Sequence, residues 1–202
     1  MTLVIPPEIN LYALSKGYWT NLSVEVAPPY LISNESSQAY VNGAVHWIAS
    51  VKDDGVKYYQ SLIVLFETSD EVFCKMELPD GIAGKSELGM SLAAYRKSLL
   101  LFYYDQLAAG KDCIIWVMKE YSVSESWVKL FSIDMRGELT NVVSLMENGR
   151  LLLVRSDRDL VLYDPEEQRF EDVRYLRIEG MHSYYVTTCM KSLVLLIDAD
   201  TA

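Results

Sequence analysis

Phosphate binding, carboxylate-pair hydrolysis, metal ligation and thiol chemistry each need particular side chains at particular spacings, and fragments of all four occur here. Gly84-Lys85-Ser86 has the ending of a phosphate-cradling loop, whose glycines let backbone amides face the anion while the lysine neutralises it. That motif requires a glycine five positions before Gly84, and the residue there is Pro79, so the segment cannot wrap a phosphate. Gly81, Gly84 and Gly89 are read instead as flexibility in a connection between two units. Neighbouring carboxylates at Asp53-Asp54, Glu166-Glu167 and Asp198 with Asp200 could supply the acid and base of a glycosidase. Spacing alone selects no pair, and most lie in predicted turns, where a solvated charge is the ordinary state. The two histidines, His46 and His182, make no set for a metal or a triad, so His46, beside Trp47 in a predicted strand, is read as a structural histidine with satisfied hydrogen bonds. Cys74, Cys113 and Cys189 are odd in number, far apart and set in apolar runs, which suits buried free thiols in a reducing compartment. No catalytic, cofactor-binding or metal-binding residue is assigned; the chain is expected to be neither an enzyme nor a cofactor carrier.

Composition narrows the class further. The 202 residues are 50% hydrophobic, with 18 basic against 28 acidic side chains and a formal charge of −10. A domain of this size buries roughly 70% of its unfolded surface without disulfides or metals, and such apolar content excludes a disordered chain. An acidic balance without a basic module argues against nucleic acid, whose phosphates are held by clustered lysine and arginine. The longest apolar runs, Leu62 to Phe66, Leu99 to Tyr104 and Leu193 to Ile197, fall far below the roughly 18 to 20 residues of a membrane-spanning helix. Met1 to Asn10 lacks a basic start and soon reaches Pro6-Pro7, so it is read as no secretory signal, and a cytoplasmic or nuclear location is expected. The sequons at Asn21 and Asn34 would matter only in a secreted chain.

The elements that must carry these residues are short strands. Segments rich in Val, Ile, Leu and aromatics alternate with turn residues every eight to twelve positions or so, which predicts an all-β fold. One unit recurs four times, a strand, a polar turn and a strand opening on an aromatic: Tyr12 to Trp19, Phe66 to Phe73, Met118 to Trp127 and Tyr163 to Phe170. The third copy has two more residues in its turn. Between these lie turns at Asn42-Gly43, Arg96-Lys97-Ser98, Asn148-Gly149 and Met190-Lys191-Ser192, two of them the Asn-Gly pair whose positive φ values suit tight hairpins. Strict alternation of the two hairpin types, at intervals near the 40 to 50 residues of a propeller blade, predicts a β-propeller of four-stranded antiparallel blades, kelch-like in form. Residues 1–202 are read as a single domain: a half blade at 9–26, blades at 38–79, 89–133 and 141–178, and a half blade at 183–197. Two readings stand, an incomplete propeller or a four-bladed ring closed by the two halves.

Four motifs resemble one family. Ala39 to Ala49, with Val41-Asn42-Gly43-Ala44-Val45-His46-Trp47, is similar to the "VNGALHW" motif of the type 1-like F-box-associated domains of plant F-box proteins. Leu62 to Phe66, then Asp70 to Phe73 and Met76-Glu77-Leu78-Pro79, resembles its second motif; Trp116 to Tyr121 followed by Glu125-Ser126-Trp127 resembles "WVMKEYGV-x-ESW"; Leu162-Tyr163-Asp164-Pro165 resembles a late strand and turn. The resemblance implies the substrate-recognition part of a Skp-cullin-F-box ubiquitin ligase, with a protein to be ubiquitylated as partner. The Skp-type adaptor and the cullin would be reached only through an F-box, and none is visible here. A free-standing binding protein or decoy is the alternative, and a propeller glycosidase the third reading. The motif residues Asn42, Gly43, His46, Trp47, Phe73, Pro79, Trp116, Trp127, Tyr163 and Pro165 are read as structural. Trp47, Trp116, Trp127, Tyr40 and Phe73 are expected in the core between blades, and Asn42, Gly43, Asn148 and Gly149 at turns. Partner binding is expected at loops such as Lys52 to Tyr58, Leu107 to Lys111 and Ser156 to Asp159, without an assigned residue.

Overall fold

The computed structural model describes residues 9–14, 16–22, 30–32, 37–51, 60–85, 89–104, 112–135, 137 and 139–177. Apart from a 3-10 turn at Ser124–Ser126 and a 3-10 position at Gly89, regular structure among them is strand. An antiparallel pair, β1 (Ile9–Ala13) and β2 (Tyr18–Leu22), stands as its own two-stranded sheet. A short β3 (Leu31–Ile32) and β4 (Gln38–Val41) both pair with β5 (Ala44–Val51), β4 along residues 44 to 47 and β3 at 49 and 50, so they share one edge. β6 (Gln60–Glu67) and β7 (Val72–Met76) complete the first sheet. The second is β8 (Met90–Tyr95), β9 (Ser98–Tyr104), β10 (Asp112–Met118) and β11 (Trp127–Asp134), and the third is β12 (Leu139–Leu145), β13 (Leu151–Arg155), β14 (Asp159–Asp164) and β15 (Arg169–Arg177). Each sheet is an antiparallel meander in sequence order, and the fold is a β-propeller. The half blade read at 9–26 has its described strands in β1 and β2; that read at 183–197 lies outside the described residues.

Turn chemistry sets the inner hairpins. Asn42 (φ 50°) and Gly43 (φ 80°) form the two-residue link that puts Val41 opposite Ala44, a backbone path open to glycine and tolerated by asparagine. Cross-strand register sets the outer ones. The sequence repeat turns out to measure that register, because Tyr12 faces Trp19, Phe66 faces Phe73, Met118 faces Trp127 and Tyr163 faces Phe170. The three aromatic pairs stack with ring centroids 5.1, 4.9 and 4.8 Å apart, the range in which edge and tilted contacts are favourable.

Stacking of the sheets follows from β9, whose Leu99-Leu100-Leu101-Phe102-Tyr103 run is buried throughout, as a strand covered on both faces must be. Leu99, Leu101 and Tyr103 face the first sheet and join Ile48, Ile63, Leu65, Met118 and Trp127. Leu100 and Phe102 face the third sheet and join Ile115, Val117, Leu151, Leu153 and Val161. The innermost strands lie side by side, β4 against β8 and β8 against β12, so the sheets converge there.

Strand alternation also corrects two expectations. Ala39 and Val41 turn into the first core, so Tyr40 between them turns out and is 62% exposed rather than part of that core. Cys74 is exposed on β7, the outer strand of its sheet, whereas Cys113 is buried; Cys189 lies outside the described residues. Leu101→Ala is expected to cost about 2 to 5 kcal/mol, since it empties a fully enclosed site between two sheets; urea titration with an unchanged slope would measure it.

Candidate functional site

Three of the four family-like motifs meet where the first two sheets join, and the fourth lies on β14 of the third sheet. His46 on β5 is fully buried and faces the turn between β10 and β11. Its Nδ1 lies 3.1 Å from the Ala39 carbonyl and its Nε2 lies 3.0 Å from the Tyr121 hydroxyl. A carbonyl only accepts, so Nδ1 carries the proton and donates, which leaves Nε2 to accept from the Tyr121 O–H. Burial holds the imidazole pKa below its ordinary value, with the Ala39 and Ala44 carbonyls opposing that shift, so the ring is neutral. The Tyr121 ring meets the imidazole edge-on, at 5.7 Å and 85°. Burial, with Glu67 and Cys74 nearby, raises the tyrosine pKa and keeps its proton in place.

Trp127 closes the same seam farther out. Its ring is buried in the first core and its Nε1–H donates to the Glu77 carbonyl at 3.2 Å, beside buried Leu78 and Pro79. Trp116 packs half-buried on that core, with its Nε1–H unpaired. Trp47 is half-buried, and Phe73 packs on the opposite face of the first sheet with Ala49, Leu62 and Val64. Tyr163 packs against the second core. Pro165 opens the next turn, where the Asp164 carboxylate accepts from the amides of Glu166 (3.0 Å) and Glu167 (3.2 Å). Tyr121, quoted only as part of a motif, is the residue whose role sequence reasoning missed; its partner lies 75 positions away.

The chemical candidates are dispersed. Glu166 and Glu167 are exposed in a turn, Gly84 and Lys85 lie in the link between β7 and β8, and no group of three metal-capable side chains occurs among the described residues. Display of turns is what the meanders offer. Turns β4–β5, β8–β9 and β12–β13 share one end of the sheets with turns β6–β7, β10–β11 and β14–β15, since alternate turns of a meander point the same way. Thr68, after β6, ties two of them by donating from Oγ1 (2.7 Å) and N (3.1 Å) to the Gly43 carbonyl. At the opposite end lies the one described loop of the three expected to bind a partner. It is Ser156 to Asp159, a tight exposed turn with Arg158 at φ 72°, and the segments within Lys52 to Tyr58 and Leu107 to Lys111 lie outside the described residues.

Two outcomes follow for the seam. Trp127→Ala is expected to cost about 3 to 5 kcal/mol, read by denaturant titration, and a loss below about 1 kcal/mol would contradict its role. Because folding keeps His46 neutral, the unfolded chain binds the extra proton, so stability is full above pH 6.5 and falls as pH drops through that ordinary value. The slope from this residue is at most about 1.4 kcal/mol per pH unit. His46→Gln should flatten the fall between pH 7.5 and 5.5.

F-box protein At3g07870 of Arabidopsis thaliana is 30% identical over 180 residues, 79% of this chain and 41% of that protein. F-box protein CPR1 of the same plant is 23% identical over 211 residues, 96% and 49% of the two chains. F-box/kelch-repeat protein At3g23880, also from Arabidopsis thaliana, is 26% identical over 166 residues, 81% and 42%. The chain spans a little under half the length of these curated relatives. Residues 4–193 match the family described as F-box associated beta propeller domain, and with its stacked four-stranded sheets the chain belongs to that family.

Proposed function

We propose that this domain is a protein–protein interaction module, the substrate-recognition part of a Skp-cullin-F-box ubiquitin ligase. The family match across residues 4–193 carries the reading, and the F-box names of the relatives supply the ligase. The interior supports binding rather than chemistry: His46 and Ser61, polar and buried, are spent on the Ala39 carbonyl, the Tyr121 hydroxyl and the Lys85 carbonyl. Exposed turns such as Ser156 to Asp159 are held by a rigid scaffold of the kind on which recognition loops are usually mounted. On this reading the adaptor and cullin are met through an F-box, and the domain works in the cytoplasm or nucleus.

The test is affinity purification of the tagged chain from plant cells with the proteasome blocked, followed by mass spectrometry. A reproducible protein partner is expected, whose abundance rises on blocking and whose purified form binds the chain directly. Failure of every recovered protein to bind directly would overturn the reading. A fluorescent fusion excluded from both cytoplasm and nucleus would contradict the location.

A further inference from the structure

The turn between β8 and β9 departs from its neighbours in a way that stability does not explain. Its counterparts place Asn42-Gly43 and Asn148-Gly149 at the corner, with positive φ at Asn42, Gly43 and Gly149. Here the left-handed position is filled by Arg96, at φ 56°. Hairpin corners favour glycine or asparagine at such a position because a longer side chain crowds the backbone, so arginine there is conformationally unfavourable. Glu71, Ser122, Arg158 and Gln168 take positive φ in other turns, so what sets Arg96 apart is how its side chain is held.

The Arg96 side chain is held in a defined pose. Its guanidinium lies over the Tyr95 ring, with Cζ 5.2 Å from the centroid, and Nη2 donates to the Glu147 carbonyl of the next corner at 3.3 Å. On the other side Asn42 Nδ2 donates to the Lys97 carbonyl at 3.4 Å. The Arg96-Lys97 corner is thus the middle member of three, clamped from both sides. Both side chains are exposed, and among the described residues neither has a carboxylate within 4 Å, in a chain whose net charge is −10. A guanidinium presents five N–H donors in a fixed fork, and one carbonyl leaves most of them facing outward. Stacking on an aromatic ring removes much of the rotamer freedom that binding would otherwise have to freeze.

We infer that the Arg96-Lys97 corner is an anchor for a carboxylate-rich segment of the protein partner, with Arg96 taking one carboxylate in its fork and Lys97 a neighbouring one. This rests on the interaction-module reading and deepens it, since it places recognition on the end of the sheets opposite the Ser156 to Asp159 loop. The charge complementarity is local: an acidic protein repels acidic partners at long range, so contact is selected at a corner where the sign reverses.

Amide NMR of the full chain, titrated with a short glutamate-rich peptide, tests it. Resonances of Tyr95, Arg96, Lys97 and Glu147 are expected to shift, the affinity to fall with added salt, and the glutamine version of the peptide to leave them unmoved. Arg96→Gly relieves the unfavourable φ, so it should fold with an unchanged or higher melting temperature yet weaken the peptide about fivefold. Shifts confined to other residues, equal response to the glutamine peptide, or undiminished binding by Arg96→Gly would each overturn the assignment. Tighter binding of a phosphoserine peptide than of the glutamate one would overturn the choice of carboxylate. A protein partner captured equally by the original chain and by Arg96→Gly sinks this inference and leaves the interaction-module reading standing; if no captured protein binds directly, that reading fails.

Discussion

A buried imidazole cannot be left without partners, and the junction of the first two sheets is organised around that requirement. His46 is enclosed on β5 at a position where an apolar side chain would need no partners, and it obtains them from a carbonyl on β4 and a hydroxyl on the second sheet. An unpaired polar group there would carry its full desolvation cost, so the second sheet must present Tyr121 at one height and angle. That fixes the relative placement of two sheets which apolar packing alone would leave free to slide. Trp127 adds a second fixed point by donating to the Glu77 carbonyl. The seam between the second and third sheets uses the same device with other residues, as the Tyr104 hydroxyl accepts from the Val142 amide at 2.7 Å.

The burial of Tyr104 and Cys113 beside one another makes the point about thiols as well. Desolvation pushes the Cys113 thiol up to about 12, against a hydrogen bond with Tyr104 that opposes it, so this sulfur is a packing group with little thiolate at neutral pH. Apolar enclosure and polar satisfaction thus act together at both seams: apolar side chains supply the stabilisation, and a few hydrogen bonds choose the geometry.

Much of this was legible in the sequence, for reasons that particular residues make clear. Asn42-Gly43 declares a hairpin because its local sterics suffice, and the spacing of Phe66 and Phe73 declares a register because facing residues across a short turn keep a constant separation. His46 read as a satisfied structural histidine, since a lone histidine in a chain with one other has no chemistry to join. What could not be read depends on distance or on facing. Tyr121 became the imidazole's partner through a contact 75 residues long. Tyr40, aromatic and in a strand, turned outward because parity put Ala39 and Val41 in the core, and composition cannot fix parity in a strand of four residues. Cys74 was misread in the same way, since an apolar stretch does not reveal that its strand is the last of the sheet. The left-handed backbone of Arg96 has no sequence signal, because arginine is not a residue that advertises it.

The hydrogen bonds that stitch sheet to sheet have a temporal consequence. Within each sheet the meander makes every strand pairing local, whereas the bonds between sheets span 38 to 75 residues: 38 from Tyr104 to Val142, 50 from Trp127 to Glu77, 51 from Arg96 to Glu147, 55 from Asn42 to Lys97 and 75 from His46 to Tyr121. Closing a loop of such length costs more chain entropy than closing a short hairpin turn, so each sheet can form its own ladder before any seam closes. Every one of these bonds also joins consecutive sheets, so order can spread along the chain from whichever sheet forms first, as in a linear array of repeats. During synthesis the first sheet would then wait with one apolar face open until the second emerges, and the interval between the two is when the chain is most exposed to misassociation.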